Sequence, residues 1–219
     1  MPRRTLTSPR KYAVQGRAKA TVDALLGATA RILVKEGYDR ASTNKIAEAA
    51  GVSVGSLYQY FPSKEALVAA VIERHSGQMV AEMMESFARV ASLPLEASVR
   101  ELVRVMIDAH RIEPKLHRVL VEQTPRVGAL GTIEQVSEQG VKLVRAYLEA
   151  RRSEIVVEDL DLAAFVTATT VEALTHVAVL HRHDLLEKPS FGEEVARIVV
   201  RYLRGGDAPP VKAGRIRGR

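Results

Sequence analysis

Residues 42–61 read STNKIAEAAGVSVGSLYQYF, and the reading of this stretch decides the fold. Ala47, Gly51 and Leu57 are spaced by four and six, as two short helices crossing at a tight turn require. Ala47 is small enough for the close crossing, Gly51 can take positive φ in the turn, and Leu57 can anchor the second helix beside Ile46 and Val52. Ser42 and Ser53 stand where a hydroxyl caps the orphan amides of a first turn. They predict helices over 43–50 and from about 54 to 60, the second stopped by Pro62. The outer face of the second helix carries Val54, Gly55, Ser56, Tyr58, Gln59 and Tyr60, small or hydrogen-bonding groups with no acid among them. Such a face suits the major groove of duplex DNA. Gly55 costs about 0.8–1.0 kcal/mol of helix propensity relative to alanine; close approach of DNA or tight helix packing would each account for it.

The same stretch contains Gly51-Val52-Ser53-Val54-Gly55, which matches the G-x-S-x-G nucleophile elbow of α/β-hydrolases. That motif needs a β-strand before the serine, whereas NKIAEAA is helical in pattern and no parallel-sheet pattern surrounds it. A hydrolase is therefore not expected.

Helical periodicity continues in both directions. Upstream, Val22, Leu25, Leu26, Ile32 and Leu33 form one apolar stripe, interrupted only by Thr29 and ended by Gly37. Downstream, Ser63 caps a fourth helix in which Leu67, Val71, Met79, Met83 and Phe87 recur at helical spacing. Further helices are predicted at about 95–110, 113–122, 128–152, 158–183 and 190–204, separated by prolines and glycines. The expected fold is all-α with about nine helices.

The chain has 219 residues, 47% of them hydrophobic, so a sizeable core is available and wholesale disorder is excluded. It contains no cysteine, which rules out disulfides, thiolate nucleophiles and thiolate metal sites. The basic N-terminus lacks the apolar stretch of a signal peptide, so a cytoplasmic location is expected. The net charge of +6 is unevenly placed. Six Lys/Arg and no acid fall in residues 1–20, and four Lys/Arg against Asp207 fall in 205–219. The body between them is thus net acidic by about three charges, and its two basic ends favour a polyanion.

The segment 162–180, LAAFVTATTVEALTHVAVL, has Glu172 as its single charge. A membrane span is disfavoured by its four threonines, by His176, and by a central carboxylate that costs about 2.5–3.5 kcal/mol to insert. An all-round apolar helix outside a membrane must be covered. The last helix, with Phe191, Val195, Ile198, Val199, Tyr202 and Leu203, has a similarly broad apolar face. Together these two helices predict a two-fold homodimer.

The chain resembles the TetR family of transcriptional regulators. The resemblance rests on Glu36-Gly37-Tyr38, Thr43, Ile46-Ala47, Ala50-Gly51-Val52-Ser53, Leu57-Tyr58, Tyr60-Phe61 and Lys64-Glu65-Ala66-Leu67, and covers about residues 17–70. It implies that Thr43, Ser53, Tyr58, Tyr60 and Lys64 fall where the family grips phosphates. Asn44, Val54, Gly55, Ser56 and Gln59 fall where base edges are met, with Tyr58 able to do either. Where this chain has Tyr60 the family often has histidine. Asn44 or Gln59 could pair with adenine and Val54 could touch a thymine methyl.

The expected domain order is a basic arm at 1–16, a DNA-binding domain at 17–62, a ligand-binding and dimerisation domain at 63–204, and a basic tail at 205–219. The expected partners are a double-stranded DNA operator, a second copy bound through the last two predicted helices, and a small, largely apolar effector. Expected pocket residues are Met83, Phe87, Met106, His110, Leu120, Tyr147, Phe165, Thr169 and His176, which combine adaptable apolar groups with a few polar handles. His110 and His117 share a helical side only if their helix continues through Pro114, and His181 and His183 project in different directions. With no H-E-x-x-H spacing, neither a metal site nor a cofactor is expected. The expected function is a ligand-responsive repressor, not an enzyme. An all-helical enzyme or small-molecule carrier is the alternative, and it would need convergent acid and base residues in the C-terminal half.

Overall fold

A computed structural model describes residues 16–205. The proposed basic arm and tail, apart from Gly16 and Gly205, lie outside the described residues. The helices are α1 (Gly16–Glu36), α2 (Thr43–Ala50), α3 (Val54–Tyr60), α4 (Lys64–Val90), α5 (Leu95–Ile112), α6 (Pro114–Gln123), α7 (Leu130–Ala150), α8 (Leu160–His181), α9 (His183–Leu186) and α10 (Pro189–Arg204), with a short 3-10 turn at Arg152–Glu154. The described residues contain no strand, and the fold is all-α. One helix more than the pattern predicts is present, because the 158–183 segment stops at His181 and four residues re-form as α9. A segment that short carries no period to read.

The caps are those the serines predict. Ser53 Oγ accepts from the Ser56 amide at 3.0 Å and Ser63 Oγ from the Ala66 amide at 3.1 Å. Gly51 has φ +69° and donates its amide to the Glu48 carbonyl, while the Val52 amide reaches Ala47 O. A left-handed residue closing α2 in this way sets the angle at which α3 leaves.

Two cores divide the molecule. The first holds Leu25 and Leu33 of α1, Ile46 and Ala47 of α2, Leu57 of α3, Leu67 and Val71 of α4, and also Leu116 and Leu120 of α6. Thr29 remains on this buried stripe by donating its hydroxyl to the Leu25 carbonyl at 2.8 Å, which removes the cost of burying a free donor. The second core holds Leu95, Val99 and Val103 of α5, Leu148 of α7, Ala163 and Val179 of α8, and Val195, Val199 and Leu203 of α10. Helix α4 reaches both regions, packing on α1 at one end and on α5 and α7 further along.

By length and composition α8 could cross a membrane, with a mean hydropathy of 1.5 over its most apolar window. In the fold it packs against α7, α5, α6 and α10. Its remaining face is open: Leu162, Phe165 and Val177 are each more than half exposed, as is Ile198 of α10.

Candidate functional site

The helix α3 is held by one side and displayed by the other. Leu57 is fully buried, Tyr60 packs half-buried against the first core, and Val54, Gly55, Tyr58 and Gln59 are exposed. Ser53 and Ser56 share a hydroxyl contact at 2.9 Å, and Thr43 of α2 meets the Tyr58 hydroxyl at 3.1 Å, so that pair is pre-positioned at one surface with Asn44 exposed beside it. A Cβ built on Gly55 would meet only Ser53 Oγ at 3.8 Å, an ordinary contact. Tight helix packing therefore does not explain this glycine.

Lys64 is more engaged than a free phosphate ligand would be. Its Nζ donates to the Tyr38 carbonyl at 2.9 Å and lies 4.0 Å from the centre of the Tyr38 ring. The Tyr38 hydroxyl donates to Glu65 at 3.0 Å; burial and this bond push its pKa up to about 12. Arg126, just beyond α6, covers the same ring at 4.6 Å and pairs with Asp39. The start of α4 is thereby clamped to the connection between α1 and α2. A second clamp joins Lys45 to Glu36 and holds the Glu36 carboxyl below its ordinary value.

The second site is a cavity of about 380 Å³ lined by α4, α5, α6, α7, α8 and α10. Seven expected residues line it: Met83, Phe87, Met106, His110, Leu120, Tyr147 and His176. Phe165 and Thr169 do not. Phe165 is 55% exposed and Thr169 is also exposed, on the outer face of α8. The correction is one of helical phase: in a helix apolar all round, residue type does not say which side faces inward. The inward side carries Thr167, Ala168, Val171 and Glu172 instead.

Four histidines meet at one end of the cavity. His110 on α5 and His117 on α6 belong to different helices, since α5 ends at Ile112 and α6 begins at Pro114, yet their ring centres are 4.3 Å apart. His176 of α8 lies 5.2 Å from His110 and 5.1 Å from His117. His75 of α4 has Nε2 at 2.9 Å from His117 Nδ1. Loss of hydration holds all four below the ordinary imidazole pKa; His110 falls to about 4, and Glu113 and Glu172 oppose the shift at His75 and His176 respectively. They are therefore neutral near pH 7. His110 Nδ1 lies 2.7 Å from the Met106 carbonyl and must donate to it, whereas His110 Nε2 and His117 Nε2 are buried with no partner.

Sequence reasoning did not place His75 or His117 in the pocket. A signal for His75 was present: positions 67, 71, 75, 79, 83 and 87 recur every four residues, and His75 fills the gap in that apolar row. Nothing local could have paired His110 with His117 across the break at Pro114.

Family models match both parts of the chain: "Bacterial regulatory proteins, tetR family" over residues 25–71 and "Tetracyclin repressor-like, C-terminal domain" over 94–203. The chain belongs to the TetR family. Among curated relatives, an uncharacterized HTH-type transcriptional regulator of Mycobacterium tuberculosis is 29% identical over 205 residues, covering 90% of this chain and 93% of that protein. Nucleoid occlusion factor SlmA of Haemophilus ducreyi is 31% identical over 110 residues, covering 50% of this chain and 52% of SlmA. The chain spans about half the length of the first curated relatives it matches. The fold is shared with a TetR-family transcriptional regulator of Mesorhizobium loti at a TM-score of 0.68 and 20% identity, covering 86% of this chain and 95% of that one. It is also shared with the fatty acid degradation regulator FadR of Bacillus halodurans, at a TM-score of 0.66 and 19% identity, covering 87% and 96%. The two matches fall on the helix-turn-helix and on the C-terminal helical domain.

Proposed function

We propose that this protein is a homodimeric repressor that binds a near-palindromic operator and is released by a small, largely apolar effector. The observation that carries the reading is the pairing of an exposed, acid-free α3 with a mostly apolar cavity in one chain. On this reading Asn44, Val54, Gly55, Ser56, Tyr58 and Gln59 read base edges, and Thr43, Ser53, Tyr58, Tyr60 and Lys64 grip phosphates. Lys64 would exchange or share its Tyr38 carbonyl with a phosphate. Residues 17–62 form the DNA-binding domain and 63–204 the effector and dimer domain, with the basic arm and tail adding sequence-independent attraction to DNA. The protein acts in the cytoplasm, and no chemical step is needed.

The open stripe of Leu162, Phe165, Val177 and Ile198 supports pairing of two copies through α8 and α10, which cover it isologously. Two elements connect cavity and DNA face. Helix α4, capped by Ser63, starts beside α3 and lines the cavity further along with Met79, Met83 and Phe87. Helix α6 places His117, Leu120 and Val121 on the cavity while Leu116 and Leu120 belong to the first core. An effector that displaces α6 moves Arg126 against Tyr38 and thus the start of α4. It shifts the dimer only by its differential affinity for the two geometries.

Selection from random duplexes by the purified full chain tests the reading. Enrichment of an inverted repeat with half-sites about one helical turn apart is expected; recovery of no preferred sequence would overturn it. Phe165→Glu should convert the dimer to monomer in light scattering and abolish operator binding.

A further inference from the structure

Buried imidazole nitrogens with no hydrogen-bond partner are uncommon, and here there are two, on His110 and His117, whose rings line the same space with centres 4.3 Å apart. His176 closes that space from α8, and one ring nitrogen from each of the three histidines falls within 4.8 Å of the other two. Tetrahedral ligation sets a definite spacing on such rings. An ion 2.0–2.1 Å from each nitrogen lies about 3.2 Å from each ring centre, which puts neighbouring centres about 5.2 Å apart. The His110–His176 and His117–His176 separations, 5.2 Å and 5.1 Å, meet that spacing. The His110–His117 separation of 4.3 Å needs a small outward rotation, towards the open cavity.

The partners of the other ring nitrogens also agree. His110 uses its Nδ1 hydrogen on the Met106 carbonyl, so its lone pair is on Nε2. His117 is oriented through Nδ1 by His75, so its free nitrogen is likewise Nε2. A backbone carbonyl or a further side chain bonded to the far nitrogen is the usual way a ligating imidazole is held in the correct tautomer and orientation.

We propose that His110, His117 and His176 form a three-histidine site for a divalent transition-metal ion of the zinc class, with His75 as a positioning residue behind His117. Imidazole nitrogens select such ions over magnesium or calcium, which prefer oxygen. Three protein nitrogens leave the fourth position open, and it faces the apolar cavity. Glu172, one turn before His176 and bonded by Ser137 at 3.3 Å, supplies a nearby negative charge. This deepens, and rests on, the effector reading of the cavity in one respect: the fourth ligand is then an anionic oxygen, such as a carboxylate or hydroxamate, on an otherwise apolar effector.

The test is a titration of the untagged full chain, stripped with a chelator, with Co²⁺ and then Zn²⁺. One Co²⁺ per chain is expected, with the visible absorption of a four-coordinate ion, bleached by one equivalent of Zn²⁺. His176→Ala should lose at least about tenfold in affinity, and His75→Ala should weaken binding by about 10–100-fold at unchanged stoichiometry and shift the Co²⁺ bands. His75→Gln, which keeps an acceptor for His117, should restore the bands. The double change His181→Ala with His183→Ala should alter nothing. A stripped wild-type chain with native helical circular dichroism that takes up no ion would overturn the proposal, as would uptake unchanged by His176→Ala. The titration contains no DNA. An ion held by a chain that selects no duplex sinks the regulator reading alone, whereas an operator-binding chain that takes up no ion sinks this one alone.

Discussion

The two halves of this molecule bury polar groups under opposite rules. Around α2 and α3 the hydroxyls are at the surface and partnered locally, Ser53 with Ser56 and Thr43 with Tyr58, while the buried side is apolar and filled, with Leu57, Ile46 and Ala47 wholly enclosed. In the C-terminal half several polar groups are inside, at the wall of a cavity, and some of their buried atoms lack partners: His110 Nε2, His117 Nε2 and Thr167 Oγ1. A surface that must meet a large partner can be finished within the free protein, because water satisfies whatever the partner later takes. A cavity for a small partner is left incomplete, because its polar atoms are satisfied only when something enters.

That contrast can be broken in four ways, of descending size. Leu57→Ala should cost about 2–5 kcal/mol of stability, since the close-packed first core cannot collapse around the lost volume. Denaturant unfolding measures it, and a cost below about 1 kcal/mol would mean that α3 is not anchored as the structure has it. Second, the metal-free protein should lose stability on acidification. His110 and His117 have folded pKa values below their unfolded ones, so the unfolded chain binds more protons as pH falls through about 6.5, and stability drops from there towards the folded pKa values. At pH 5 this amounts to about 2 kcal/mol for each histidine, and His110→Phe should flatten the Tm–pH curve accordingly. Unchanged slope in that variant would place the acid sensitivity elsewhere.

Third, Gln59→Ala should leave stability nearly unchanged but remove about 1–3 kcal/mol of discrimination at one base pair. Competition binding with single-base operator variants reads this, and an unaltered preference removes Gln59 from base readout. Fourth, Gly55→Ala should act with opposite signs on folding and binding. A methyl group there meets no close neighbour within the protein, so alanine should raise stability by about 0.8–1.0 kcal/mol through helix propensity. The same methyl would stand between α3 and the DNA, and operator affinity should fall. A variant both more stable and equally tight would show that nothing approaches Gly55 closely.

Much of the fold was legible because its signals are local. Ser42, Ser53 and Ser63 mark helix starts, Gly51 marks the turn, and the row of Leu25, Leu26, Ile32 and Leu33 marks the buried face of α1, all within a few residues of the feature they specify. The exposed character of Val54, Tyr58 and Gln59 followed from Leu57 by helical periodicity alone. The pocket was legible where a helix had one apolar row, as with Met83 and Phe87 on α4. It was misread on α8, where Phe165 and Thr169 point outwards, because a helix apolar on all sides has no phase until its neighbours are placed.

The amino-acid sequence by itself determined the helices, their caps and the helix-turn-helix, since each depends on hydrogen bonds and side-chain spacings within one or two turns. Only the tertiary structure decided which face of α8 lines the cavity and that His75, His110, His117 and His176, from four different helices, meet at its end. The physical reason is that such convergence is set by how whole helices cross, and that depends on the summed packing of both cores, a quantity no short stretch of residues encodes.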